Sequence, residues 1–158
     1  MSEPDFYVNK SLSRRAFEKA ALAYDEAAVL QREVATRLVE RLEYMLLEPA
    51  VVLDAGVGTG YCTLDLVQRY PTAKIVALDI ASAMLQQTRI KLEKEKNISY
   101  LASDVENIAL ADNSIDLIVY SLNVQWCNDF NKDFAEFNRV LKPGGCILFS
   151  SFGPDALK

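Results

Sequence analysis

The run Val51-Val52-Leu53-Asp54-Ala55-Gly56-Val57-Gly58-Thr59-Gly60 constrains this chain more than any other stretch. A short apolar segment runs into an acidic residue, three glycines alternate with small residues, and a helix-like segment follows from Tyr61. Glycine is needed where the backbone takes positive φ, or where a ligand must approach with no Cβ in the way. The pattern predicts a strand, a ligand-binding bend and a helix; the plainer reading is a tight turn that binds nothing. Spacing also discriminates between ligands. The dinucleotide fingerprint is G-x-G-x-x-G, with a pyrophosphate seated on the helix N-terminus. Here the third glycine comes one residue early, at Gly60, and bulky Tyr61 takes its place, a poor fit for a diphosphate.

The rest of the chain alternates in the same way. Residues 11–23 read as a helix with Leu12, Ala16, Ala20 and Ala23 on one stripe. Residues 26–47 read as a longer amphipathic helix through Ala27, Leu30, Val34, Leu38, Leu42 and Met45, ended by Pro49. Strands are expected at 50–54, Lys74–Asp79, Ile98–Ala102, Ile115–Ser121 and Cys146–Phe152. Helices are expected at 61–69, at 83–95 with Ser82 as its cap, and along Phe130, Phe134, Phe137 and Leu141. Asp112-Asn113-Ser114 and Lys142-Pro143-Gly144-Gly145 read as turns. Strands alternating with helices imply a parallel α/β sheet covered on both faces. Ligands of such sheets sit beyond the carboxyl ends of the strands, so the residues after each strand are the candidates.

Bulk properties narrow the chemistry. The chain has 158 residues, enough for one compact domain, with 51% apolar residues to build a core. A net charge of −5 is a poor basis for non-specific nucleic-acid or anionic-membrane binding. No transmembrane run is expected, and the acidic start Met1–Asp5 lacks the pattern of a signal peptide. Cys62, Cys127 and Cys146 are odd in number and widely spaced, so a reducing cytoplasm is the expected compartment. Histidine is absent, which removes the commonest general base and metal ligand.

The loop itself, G-x-G-x-G behind Asp54, resembles the first motif of the class I S-adenosylmethionine (SAM) methyltransferases. SAM carries no phosphate; it presents a carboxylate, an amine, a ribose diol, an adenine and a sulfonium. Asp79 closes the second strand and could accept two hydrogen bonds from the ribose diol, or could simply charge a helix N-terminus. Ile80 and Met84 then offer an apolar wall to an adenine face. Asp104, followed by Val105, could take the exocyclic amine of adenine, though a turn or cap aspartate would look the same. Beyond the fourth strand, Ser121-Leu122-Asn123-Val124-Gln125-Trp126-Cys127 should lie near the methionine end and the acceptor, with Gln125 and Trp126 as positioning candidates or plain packing residues. Tyr24, at the junction of the two N-terminal helices, could fold over the cofactor. Lys10, Arg14, Arg15 and Lys19 form a basic cluster, either a solvated helix face or a receptor for an acidic carrier or substrate carboxylate.

A narrower resemblance rests on Ala16-Phe17-Glu18-Lys19-Ala20-Ala21-Leu22-Ala23-Tyr24-Asp25, Leu30-Gln31-Arg32, Asn123-Val124-Gln125-Trp126-Cys127, Glu136-Phe137-Asn138-Arg139-Val140-Leu141-Lys142-Pro143-Gly144-Gly145 and the tail Ser151–Leu157. These segments look like the malonyl-acyl-carrier-protein O-methyltransferases of biotin synthesis. The resemblance implies a Rossmann-like core over residues 49–158 with strand order 3-2-1-4-5, behind a helical cap over 1–48. It implies methyl transfer from SAM to the free carboxylate of a malonyl thioester on acyl carrier protein. Residue by residue, Asp54, Ala55, Gly56, Gly58 and Gly60 match the cofactor loop, Asp79 the ribose acid, Asp104 the adenine acid, and Tyr24 and Gln31 positions near the methionine end. Ser121 and Leu122 fall in the same cofactor set. A carboxylate nucleophile is already an anion, so a chain without histidine can serve. Val57 stands where the family commonly has cysteine. The family also carries segments beyond the fifth strand, so residues that grip the malonyl carboxylate from there are unassigned, and self-association through an exposed sheet edge is expected. The alternatives are a methyltransferase for another small acceptor, such as a quinone precursor, and a SAM-binding protein without catalysis.

Overall fold

The computed structural model describes residues 7–153, 155 and 156. Met1–Asp5, Pro154 and Leu157 of the stretches named above lie outside the described residues. Among the described residues, five parallel strands form one sheet in the order β3-β2-β1-β4-β5, as the resemblance implied. They are β1 (Val51–Ala55), β2 (Lys74–Asp79), β3 (Ile98–Ala102), β4 (Ile115–Ser121) and β5 (Leu141–Ser150). The helices are α1 (Lys10–Ala20), α2 (Tyr24–Ala27), α3 (Val29–Glu40), α4 (Tyr61–Arg69), α5 (Ser82–Lys91) and α6 (Phe130–Val140), with 3₁₀ turns at Arg41–Tyr44 and Val124–Trp126.

Successive strand residues point to opposite faces. Val52, Ile75, Leu117 and Val119 therefore join Leu38, Leu42 and Leu66 on the side of α3 and α4. Leu53, Leu78, Ile118 and Tyr120 join Phe137 and Val140 of α6 on the other. Central strands buried on both faces read as continuous apolar runs, which is why they stand out in the sequence.

The N-terminal helices depart from expectation. The stripe Leu12, Ala16, Ala20 and Ala23 is exposed; α1 instead turns Phe17 and Glu18 toward the core, with Ala21 just beyond it. The helix expected over 26–47 breaks at Ala28, whose φ of −85° and ψ of 33° leave the helical region, and gives way to a 3₁₀ turn at Arg41. Spacing alone could not reveal the break because Ala28 is an alanine, the best helix former.

Ser82 does not cap α5. Ala81 occupies the cap position, and the carboxylate of Glu18 accepts the N–H groups of Ser82 at 2.7 Å and Ala83 at 2.9 Å. A residue 64 positions upstream thus does the work expected of a local side chain. The helix ends at Lys91 rather than 95, but its expected inner face of Met84, Leu85, Thr88 and Leu92 is buried.

The expected turn at Lys142–Gly145 is absorbed into β5. Leu141 already pairs with Ile115 and Cys146 with Leu117, so the four residues between form a bulge. Gly144 takes φ +81° there. Leu141 is therefore a strand residue and not the end of α6, and β5 stops at Ser150 rather than Phe152.

Candidate functional site

A cavity of about 730 Å³ opens over the carboxyl ends of β1 to β4, with residues of α1 and α3 on its outer side. The first and fourth strands, adjacent in the sheet but far apart in the chain, make it the topological switch point. Of the loop residues, Asp54, Gly56 and Gly58 line it. Ala55 and Gly60 do not: Ala55 is buried within β1, and Gly60 packs on Thr88, whose Cγ2 would stand 2.6 Å from an added Cβ. Asp79, Ile80 and Met84 line the cavity after β2, Asp104 and Val105 after β3, and Ser121, Leu122, Gln125 and Trp126 after β4. Tyr24 and Gln31 reach it from the N-terminal helices.

The glycine loop has the geometry its sequence demands. Gly56, Gly58 and Gly60 take φ of +72°, +55° and +88°. The N–H groups of Gly56 and Val57 both donate to the Leu78 carbonyl at 2.8 Å, which ties β1 to the end of β2. An added Cβ at Gly58 would meet nothing nearer than Tyr24 Cε1 at 4.0 Å, so this is the glycine whose missing side chain leaves open space. Asn123, for which the sequence suggests no role of its own, donates from Nδ2 to the Gly56 carbonyl at 3.1 Å and fixes the loop from the β4 side.

Two acids sit beneath the loop. Asp54 is 1% exposed and accepts from Thr63 Oγ1 at 2.6 Å; burial raises its pKa to about 7. Asp79 is 8% exposed, accepts from Gly58 N and Ala81 N at 2.9 Å each, and is pushed up by burial to about 6. Each Asp79 oxygen carries one of these bonds and keeps a lone pair for a further donor. A diol could supply such donors and replace the water the carboxylate has lost.

The other candidates are more heavily engaged. Asp104 accepts from Lys10 Nζ at 2.7 and 2.9 Å and from Glu106 N at 3.0 Å, so a cation expected on a solvated cluster sits on the expected adenine acid. Arg14, Arg15 and Lys19 of that cluster remain exposed. Gln125 donates to the Leu122 carbonyl, and Ser121 Oγ lies 3.3 Å from Ser150 Oγ. Leu122 takes φ +47°, a rare conformation for a leucine. Trp126 meets Phe17 edge-to-face at 5.2 Å and thereby touches α1. Tyr24 is partly buried and stacks edge-on with Phe17 at 6.5 Å. At the cavity edge Tyr120 and Cys127 both donate to buried Asp133; burial lifts the Cys127 thiol to about 12, which holds it neutral and unreactive.

The site thus offers acids, open backbone at Gly58 and an apolar wall, with no ionised thiol at its edge. Residues 53–149 match the family described as a methyltransferase domain. The malonyl-[acyl-carrier protein] O-methyltransferase of Nitrosospira multiformis is 45% identical over 98% of this chain and 55% of its own length. The protein of the same name from Gallionella capsiferriformans gives the same identity and coverage. The chain therefore spans about half the length of these curated relatives. A crystal structure from Methanococcus maripaludis, assigned to the S-adenosyl-L-methionine-dependent methyltransferases, superposes with a TM-score of 0.77 at 25% identity, over 96% of this chain and 67% of that one. With this loop at this switch point, and a match over most of its length, the chain belongs to the methyltransferase-domain family of class I SAM-dependent enzymes.

Proposed function

We propose that the cavity binds SAM and that the protein methylates the free carboxylate of a malonyl group carried on acyl carrier protein, a step of biotin synthesis in the cytoplasm. The observation that carries the binding reading is Asp79, a nearly buried carboxylate locked by the Gly58 and Ala81 N–H groups at the lip of the glycine loop. In this reading Asp79 takes the ribose diol, Ile80 and Met84 flank the adenine, and Asp104 takes its amine while keeping Lys10. Gly58 admits the methionine portion, with Gly56 on the cavity wall beside it and Tyr24 and Gln31 facing it. Of the expected cap over 1–48, the segment that lines the cavity, from Lys10 to Ala35, keeps water out. When bound, the cofactor supplies an electrophilic methyl group on a sulfonium.

The chain's own task is placement. A carboxylate acceptor needs no base, so alignment and exclusion of water carry the rate. Gln125 and Trp126 position the acceptor from the β4 side. The acceptor reading is supported by relatives that bear this name, and by the exposed Arg14, Arg15 and Lys19 of α1, which suit an acidic carrier. The test is transfer of a labelled methyl group from SAM to malonyl-acyl carrier protein, with the methyl ester released by mild base. Transfer to another small carboxylate or a quinone precursor alone would replace the acceptor. SAM binding without any transfer would leave a binding protein.

A further inference from the structure

Among the described residues, two cationic side chains line the cavity, Lys10 and Arg32. Lys10 is neutralised by Asp104 and Glu106, each at 2.7 Å. Arg32 makes no ion pair among the described residues. Its guanidinium lies over the ring of Tyr61, 5.0 Å from the centroid, and Nη1 donates to Tyr61 Oη at 3.2 Å. Tyr61 is held in turn. Its hydroxyl donates to Asp25 at 3.3 Å, and Lys91 Nζ stands 3.5 Å from its centroid while pairing with Asp25 at 2.9 Å. The bulky residue that spoils the dinucleotide fingerprint is thus a platform that fixes an arginine at the start of α4.

A guanidinium has five donors in a planar fork that matches a carboxylate. The platform uses one donor and one face of Arg32; no acid in the described structure takes the rest. Half-burial beside an aromatic ring removes water and strengthens any charge-assisted bond made there. We infer that Arg32, oriented by Tyr61, binds a ligand carboxylate in this cavity. The inference rests on the cavity's reading as a SAM site, which brings in two carboxylates: that of the methionine portion and that of the acceptor. Lys10 and Asp104 mark the β3 side of the cavity; Arg32 stands on the β1 side, next to the loop.

Calorimetry separates the sources. S-adenosylhomocysteine carries the amino-acid carboxylate; 5′-methylthioadenosine has the same nucleoside thioether and lacks it. Arg32→Ala is expected to bind S-adenosylhomocysteine at least tenfold more weakly, with methylthioadenosine unchanged and partial recovery in Arg32→Lys. Tyr61→Leu, which removes the platform, should reproduce part of the loss. If both nucleosides bind Arg32→Ala normally, but malonyl-pantetheine binds the S-adenosylhomocysteine complex at least tenfold more weakly, the carboxylate is the acceptor's. Unchanged affinity for both S-adenosylhomocysteine and malonyl-pantetheine overturns the inference. Failure of the unsubstituted protein to bind either nucleoside overturns the reading of the cavity itself. Should Arg32→Ala not fold, Arg32→Gln keeps the stem and removes the charge.

Discussion

Acidification should stabilise this protein. Asp54 and Asp79 are buried where their charged forms are poorly solvated, which lifts them from 3.8 to about 7 and about 6. A carboxyl with a raised folded pKa binds protons more readily when folded. Its contribution is complete below the unfolded pKa and is lost as pH rises through the folded one. A tenfold difference in proton affinity between the folded and unfolded chain is worth about 1.4 kcal/mol. Between pH 8 and pH 5, Asp54 takes up its proton almost fully, contributing roughly 3 kcal/mol, and Asp79 about 1 kcal/mol more. Asp133, also raised by burial, acts in the same direction. No histidine titrates in this window. Asp25, Glu106, Asp116 and Glu136 are all held below their usual values, so their loss begins only in more acid solution. Urea unfolding of the ligand-free protein at constant ionic strength should show stability rising by roughly 4 kcal/mol from pH 8 to pH 5. Asp54→Asn, whose amide oxygen can still accept from Thr63, should lose most of that slope. A flat or falling profile in the unsubstituted protein would refute the assigned burial of these acids.

Cofactor affinity should move the opposite way. A proton on Asp79 competes with the ribose, so S-adenosylhomocysteine binding should weaken below pH 6, approaching tenfold for each further step of one in pH; calorimetry at pH 5 to 8 measures it. Gly58→Val should abolish binding and cost about 1–2 kcal/mol of stability, since φ +55° is strained for a side chain but space is open; a thermal melt and a titration check both halves. Glu18→Ala should lower stability by about 1 kcal/mol, as loss of a charged helix cap does, and should loosen α1 from α5, read as faster amide exchange at Ser82 and Ala83.

The sheet is legible because its central strands are buried on both faces and its edge strands still carry apolar residues. Lys74–Asp79, Ile98–Ala102 and Ile115–Ser121 fall where their apolar runs place them, as does the helix from Tyr61 to Arg69. The glycine loop is legible because no other residue type accepts its three positive φ values cheaply. Long-range partnerships are not. Nothing local ties Glu18 to the start of α5, Lys10 to Asp104, or Asn123 to Gly56. The helical stripe on α1 fails because a short helix at the cavity mouth is held by its ends and one aromatic residue, not by a continuous apolar face. Arg32 stands out only as part of a resemblance; its ring partner is a helix away in sequence.

The most direct measurement is a crystal structure of the protein soaked with S-adenosylhomocysteine. The account expects the ribose hydroxyls within hydrogen-bond distance of the Asp79 carboxylate and the thioether chain passing over Gly58. A nucleoside bound outside this cavity, or an occupied crystal in which Asp79 makes no ribose contact, would contradict it.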